Sequence, residues 1–267
     1  MNYCLIDSGN QKKIERFGPY TIVRPCSQAL WKPSKADWEE ANAHFSRDGG
    51  KKWSGKLPSK WVIEHGKIQF ALSPTDFGHL GIFPEHRMIW EWAANLIRPN
   101  DQVLNLFAYS GGATMALAKA GAQVCHLDAS PGMVDWAKGN AKLNGLENSP
   151  IRWIVDDAMK FLKRELRRGR RYEGILLDPP SFGRGAKGEV FKIERDIGLL
   201  LELCVQLLSD RPSFLACTNH TPGMTPLVMQ HLLEEALKKT CEAGELILEA
   251  ENGRAIPTGT YARWSAC

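Results

Sequence analysis

The chain has 267 residues, of which 43% are hydrophobic and 24% charged, and its formal net charge is +4. That composition excludes a disordered or collagen-like chain and leaves one large domain, or a large domain with a small companion. The mild positive charge permits a polyanionic partner without demanding one. The seven scattered cysteines form no Cys-x-x-Cys pair, so neither a disulfide framework nor a zinc site is indicated.

No signal peptide opens the chain and no apolar run nears the ~20 residues of a membrane span, so a cytoplasmic protein is expected. Residues 1–75 differ from the rest and read as a small strand-rich domain, with 76–267 as the larger one. Ile14 to Pro25 has a Gly18-Pro19 turn between apolar pieces, a hairpin pattern, and Trp61 to Leu72 repeats it around His65-Gly66. Between them Ala36 to Phe45 reads as a short helix and Arg47 to Lys60 as a polar loop. Six of nine tryptophans (Trp31, Trp38, Trp53, Trp61, Trp90 and Trp92) fall in residues 31–92. Core packing explains bulky aromatics in a small module better than base stacking does. Phe77 to Arg87 is a turn-rich connector, and Pro84 is placed to open a helix over Met88 to Ile97. Glu85, His86 and Arg87 would lie in its first turn, either as a plain surface helix start or, if the segment folds over a cofactor cleft, with Arg87 near the ligand's carboxylate.

Val103 to Asp128 is the most informative stretch. Val103, Leu104, Leu106 and Phe107 form a short apolar run, as in a strand buried on both faces of a parallel sheet. Ser110-Gly111-Gly112 breaks it, and glycine lets the backbone turn sharply and approach a ligand. Thr114 to Ala120 is helical, Gly121 stops it, and Gln123 to Leu127 is a second strand. Asp128 ends that strand, where open α/β sheets bind ligands. A carboxylate there can accept from both hydroxyls of a ribose. A dinucleotide fold would want Gly-x-Gly-x-x-Gly to cradle a pyrophosphate, and this turn lacks that spacing. S-adenosylmethionine has no phosphate and needs no such cradle.

Ser130 with Pro131 starts the next helix, which runs to about Asn144. Strands follow at Arg152 to Val155, Gly174 to Leu177 and Ser213 to Thr218, with helices at Met159 to Leu166, Ile193 to Ser209 and Thr225 to Thr240. Gly183 to Gly188 reads as a flexible loop, and strands at Glu245 to Ala250 and Gly259 to Ser265 close the chain. This alternation predicts a doubly wound, mostly parallel sheet.

Asp178-Pro179-Pro180-Ser181-Phe182 is the most specific motif. Two prolines stiffen the strand exit and remove two donors, so its carbonyls can face a planar substrate, and Phe182 can stack on a base. Asp156-Asp157 ends the third strand, where a carboxylate can accept from an adenine amino group; Asp157 is the first choice and Asp156 the alternative. Lys160 to Arg171 holds seven basic residues and one acidic. A solvated helix face accounts for most of them, and a phosphate-contact patch joins them to Arg184, Lys187 and Lys192. The histidines are scattered and propose no metal site; His220 is open between an active-site and a turn role.

The run Asn105-Leu-Phe-Ala-Tyr-Ser-Gly-Gly, with Asp128, Asp156-Asp157 and Asp178-Pro-Pro-Ser-Phe, resembles class I S-adenosylmethionine-dependent methyltransferases. More closely it resembles bacterial 23S ribosomal RNA base methyltransferases, and Phe83-Pro-Glu-His-Arg is similar to their Phe-x-Asp-Gln-Arg segment. The resemblance implies a Rossmann-like α/β fold with a seven-stranded, mostly parallel sheet beside the small β-rich domain. It implies S-adenosylmethionine held by Arg87, Asn105, Phe107, Tyr109, Ser110, Gly111, Gly112, Asp128, Ala129, Asp156, Asp157 and Asp178. The target base would meet Asp178, Pro179, Pro180, Phe182 and Asn219. The implied substrate is large-subunit ribosomal RNA, with no metal and no membrane.

One departure bears on the chemistry. Relatives that methylate carbon-5 of cytosine carry a cysteine where this chain has Asn219, and Cys217 lies two residues deeper in the strand. Covalent addition needs a well-placed thiolate, so nitrogen chemistry fits better, as in relatives with Ser-Asn-Asn that methylate nitrogen-7 of guanine. The competing classes are a methyltransferase of small molecules or proteins, an NAD-linked oxidoreductase and a silent binding protein.

Overall fold

A computed structural model of the chain describes residues 2–34, 38–50, 52–184, 188 and 190–266. It divides into two compact units, Met1–Arg87 with Ile247–Thr258, and Met88–Leu246 with Gly259–Cys267.

In the first unit β1 (Tyr3–Gly9), β2 (Lys12–Phe17), β3 (Tyr20–Pro25), β4 (Ala43–Ser46) and β5 (Lys52–Gly55) form a five-stranded sheet in that order. The expected hairpins are both present. Phe17 pairs with Tyr20 across Gly18-Pro19, and β6 (Trp61–His65) turns into β7 (Ile68–Leu72) through Gly66 and Lys67. Those two residues sit at φ +58° and +61°, the left-handed pair that matches strand twist in a tight hairpin. The helix expected over Ala36 to Phe45 is not formed at its end. Ala43–Ser46 is a strand paired in parallel with β3, and its alternating burial is the period-2 pattern that a four-residue window hides; positions 36 and 37 lie outside the described residues. Likewise the loop expected over Arg47 to Lys60 contains β5. Three tryptophans spend their indole N–H inside this unit: Trp31 on the Ser8 carbonyl, Trp53 on that of Thr75 and Trp61 on that of Phe17. This favours the core-packing reading of these three.

After a 3-10 turn at Pro84–His86, α1 (Arg87–Asn95) begins at the unit boundary. The second unit then alternates: β8 (Gln102–Leu106), α2 (Gly112–Lys119), β9 (Gln123–Asp128), α3 (Pro131–Leu143), β10 (Ile151–Val155), α4 (Ala158–Arg167) and β11 (Gly174–Leu177). A short hairpin, β12 (Phe182–Arg184) and β13 (Val190–Lys192), stands where a loop was expected; positions 185–187 lie outside the described residues. It leads to α5 (Ile193–Leu207), β14 (Phe214–Asn219), α6 (Pro226–Leu237), β15 (Glu242–Leu248) and β16 (Ile256–Ser265).

The seven-stranded sheet has the order β10-β9-β8-β11-β14-β16-β15. Its first five strands run parallel, and β16 is antiparallel to β14. Successive strand residues feed opposite faces. Leu104, Leu106, Ile175, Leu177, Leu215 and Cys217 enter the core shared with α4, α5 and α6. Val103, Val124, Leu176, Phe214 and Ala216 enter the one shared with Ile89, Ala93 and Leu117 of α1 and α2. Strands covered on both faces read as continuous apolar runs, which is why β8 and β11 were visible in the sequence. The chain order reverses beside β8, which has β9 on one side and β11 on the other. A parallel sheet opens its ligand crevice at the carboxyl ends beside such a point.

Candidate active site

The parallel register sets the carboxyl ends side by side. Leu106 pairs with Leu127 and with Leu177, Asp128 with Val155, and Leu177 with Cys217. The exits of β8, β9, β10, β11 and β14 therefore form one edge carrying Phe107, Asp128, Asp156, Asp178 and Thr218.

The β8 exit is a strained turn. Phe107 and Tyr109 hold φ +55° and +50° and Gly111 +90°. Non-glycine residues in the left-handed region cost of order 1–3 kcal/mol and persist where the surroundings enforce them. Here Asp128 enforces the turn. Its carboxylate accepts the Tyr109 N–H at 2.9 Å and the Ser130 N–H at 2.9 Å. Burial pushes the Asp128 carboxyl above its ordinary range, opposed by those two amides. From below, Asn140 of α3 donates to the Ser110 carbonyl at 2.9 Å. The glycines answer to protein neighbours. A Cβ on Gly111 would come within 2.7 Å of Met115, and one on Gly112 within 2.6 Å of the Trp90 ring. These glycines let helices close on the turn, and the expectation of ligand approach at Gly112 has no separate support from its surroundings.

Asn105 also departs from expectation. Its side chain is buried and donates to Thr114 Oγ1 at 2.9 Å, which lies 2.9 Å from His126 Nδ1. Asn105 and His126 are register partners on adjacent strands, so this polar chain lies under the turn, inside the core. Burial lowers the His126 pKa to about 3. Among the described residues its Nε2 has no hydrogen-bond partner, and the ring lies 4.8 Å from that of Trp153.

At the β10 exit both acids are half-buried. Asp157 caps α4 by accepting the Lys160 N–H at 2.9 Å. Asp156 accepts the Asp157 N–H and pairs with Arg164 at 2.6 Å. Ala129 is half-buried beside Asp128, and Arg87 is exposed at the start of α1.

The β11 exit is braced from β14. Asp178 Oδ1 accepts from Thr218 Oγ1 at 2.8 Å and lies 3.9 Å from His220 Nε2. Asn219, 1% exposed, donates to the Pro179 carbonyl at 3.1 Å and accepts from the Thr221 N–H. Ser181 and Thr221 share a hydroxyl bond of 2.7 Å. The Pro179 carbonyl thus accepts one bond from within the protein, and Asn219 is a buried brace. Pro180 is exposed, and Phe182 is 50% exposed. Gly259 lets β16 pass against this exit, since a Cβ there would meet the Asn219 carbonyl at 2.6 Å and the His220 ring at 2.8 Å. Cys217 is fully buried, and burial first, then the Asp178 charge, pushes its thiol well above the usual range. Thr114, His126, Asn140, Thr218, Thr221 and Gly259 were missed; a polar residue inside an apolar strand is the one signal that exposes His126.

The donor set fits the expected cofactor. A ribose offers two hydroxyls, an adenine an amino group and a sulfonium a positive charge; the β9 and β10 exits offer carboxylates. The turn 105–112 contains no Lys or Arg for a pyrophosphate.

A family model for S-adenosylmethionine-dependent methyltransferases matches residues 20–259. The crystal structure of the SAM-dependent methyltransferase from Agrobacterium tumefaciens superposes with a TM-score of 0.95 at 39% identity, covering 99% of this chain and 90% of that one. The ribosomal RNA large subunit methyltransferase K/L of Methylococcus capsulatus is 35% identical over 160 residues, 59% of this chain and 22% of that protein. Ribosomal RNA large subunit methyltransferase K of Neisseria meningitidis is 32% identical over 162 residues, 58% and 44% respectively. The match thus spans less than half the length of these curated relatives.

Proposed function

From the premise that this chain belongs to the S-adenosylmethionine-dependent methyltransferase family, we propose that it methylates a nitrogen of a nucleic-acid base in large-subunit ribosomal RNA. The observation that carries the reading is the braced Asp178-Pro179-Pro180 exit, with Phe182 half-exposed beyond it. The names of the curated relatives support the choice of substrate. A cytoplasmic location goes with it, and no described helix is long and apolar enough to cross a membrane.

When bound, S-adenosylmethionine supplies an electrophilic methyl group. Asp128 orients the ribose, and Asp157 or Asp156 the adenine. Asp178 accepts from the target base, Phe182 stacks on it, and the stiff Pro179-Pro180 exit fixes its height. Thr218 and Asn219 hold that exit still. A ring or amino nitrogen brings its own lone pair, so no protein nucleophile is needed, and the sealed Cys217 thiol is consistent with that. Positioning is then the main contribution, and a small misplacement can cost about 100-fold in rate.

The test is methyl transfer from labelled S-adenosylmethionine to protein-free 23S ribosomal RNA. Asp178→Ala is expected to lower kcat by about 100-fold or more while S-adenosylmethionine affinity by calorimetry stays within the error of wild type. Transfer to protein or small-molecule acceptors with none to RNA would replace this reading.

A further inference from the structure

We infer that the outer face of α4 and the turn after it form a track for the RNA phosphate backbone, leading along the flank of the second unit to the catalytic edge. This rests on the RNA reading above.

Lys160, Lys163, Arg164 and Arg167 recur at i, i+3, i+4 and i+7, one face of a helix. The opposite face, Ala158, Phe161, Leu162 and Glu165, is buried. The basic stripe borders a shallow, open depression on the helix surface. Beyond it Arg170 and Arg171, with Arg152, line an open cleft of about 730 Å³ that also touches Gln102 and Gln123 at the amino ends of β8 and β9 and Tyr172 just before β11. Because α4 starts beside Asp156-Asp157 and the chain next enters the sheet at Gly174, opposite Val103, α4 runs back along the strands. The ten residues of α4 span about 15 Å. The two concavities therefore lie in succession, with the first beginning at the edge that carries Asp156 and Asp178.

Charge separates this from an ordinary wet helix. Exposed helix faces usually alternate signs, since like charges at i, i+4 cost a few tenths of a kcal/mol. Here the exposed stripe has no acid. Arg164 is answered by Asp156, while Arg152 and Arg168 are answered by Glu165, which is buried. Among the described residues no carboxylate pairs with Lys163, Arg167, Arg170 or Arg171. Residues 160–171 carry seven basic and one acidic side chain, a net +6 against +4 for the whole chain, so the remainder is net −2. Positive charge concentrated on this helix and the turn after it, with no carboxylate on Lys163, Arg167, Arg170 or Arg171 among the described residues, calls for a repeating anion, and phosphodiesters supply one every nucleotide.

The experiment is filter binding of protein-free 23S ribosomal RNA across a salt series, with S-adenosylmethionine affinity measured on the same preparations. Lys163→Glu with Arg167→Glu, and Arg170→Glu with Arg171→Glu, are each expected to weaken RNA binding at least ~10-fold near 50 mM salt. Each pair should also flatten the slope of log affinity against log salt by roughly 1.4, with cofactor affinity unchanged. Lys119→Glu with Lys142→Glu makes the same change in net charge on other exposed helix positions and should leave the slope in place. The track is overturned if wild type binds RNA and the α4 pairs behave like that control. If wild type binds no RNA but binds phosphatidylglycerol vesicles through these residues, the face serves a lipid surface and both the track and the RNA substrate fall. If wild type binds neither, the RNA reading itself fails and the track with it.

Discussion

Asp128 braces the turn and, on the proposed reading, would also hold the ribose. Each carboxylate oxygen takes one backbone N–H and has a lone pair left for a ribose hydroxyl. Charge-assisted hydrogen bonds are worth about 1.5–3 kcal/mol each, so Asp128→Ala is expected to raise the S-adenosylmethionine Kd at least ~100-fold by calorimetry; an unchanged Kd would remove the ribose assignment. Cys217 is the opposite case. Its thiol is sealed, so Cys217→Ser should retain at least about half of wild-type turnover, and denaturant should be needed before the thiol reacts with iodoacetamide. A covalent RNA adduct on Cys217 would overturn the preference for nitrogen. At this scale the sequence reveals residue type and strand position but not side-chain direction. Asp128 and Asp178 were legible because strand ends in a parallel sheet face the crevice. Asn105 and Asn219 stand in equally suggestive motifs, yet both turn inward to partners, Thr114 and Pro179, that only the fold brings near.

Among the elements, the α/β alternation was legible because the buried strands are short apolar runs and several helices have a strong start. Ser130 caps α3 and Thr225 caps α6 through their side chains. The short strands β4 and β5 were not. β4 joins the sheet through a partner far off in sequence, Ile22 with Ala43, β5 pairs locally with β4, and in neither can four residues display a period. The polar chain linking β8, α2 and β9 was hidden for a similar reason, since Asn105 and His126 meet only through strand register. It has a measurable signature. With the folded pKa of His126 near 3 and an ordinary unfolded value near 6.5, the unfolded chain binds the extra proton between them. Stability from this group is whole above pH 6.5 and drains as pH falls, at up to about 1.4 kcal/mol per unit. Denaturant titrations of His126→Asn should show a flatter limb than wild type between about pH 6.5 and 4. Parallel limbs would mean that His126 is protonated in the fold.

For the whole molecule, the division into units does not follow the chain. The first unit recruits residues 247–258, and Leu248 and Ile256 join Leu5, Cys26 and Ala29 in one small cluster. The small domain was expected over residues 1–75 from its hairpins and composition, local signals that are blind to a segment arriving from far downstream. Ile256→Ala should therefore destabilise the amino-terminal unit by about 2–5 kcal/mol, as read from faster exchange of the protected amides in β1. A change confined to the second unit would contradict this.

That borrowed segment imposes an order on synthesis. A ribosome adding about 5–20 residues per second needs on the order of 10–30 s to travel from residue 87 to residue 247. Throughout that interval the nascent amino-terminal sheet waits with its small cluster unfilled, available to chaperones and proteases. The first unit can finish folding only after β14 and α6 have been made, although its own sheet precedes them in the chain.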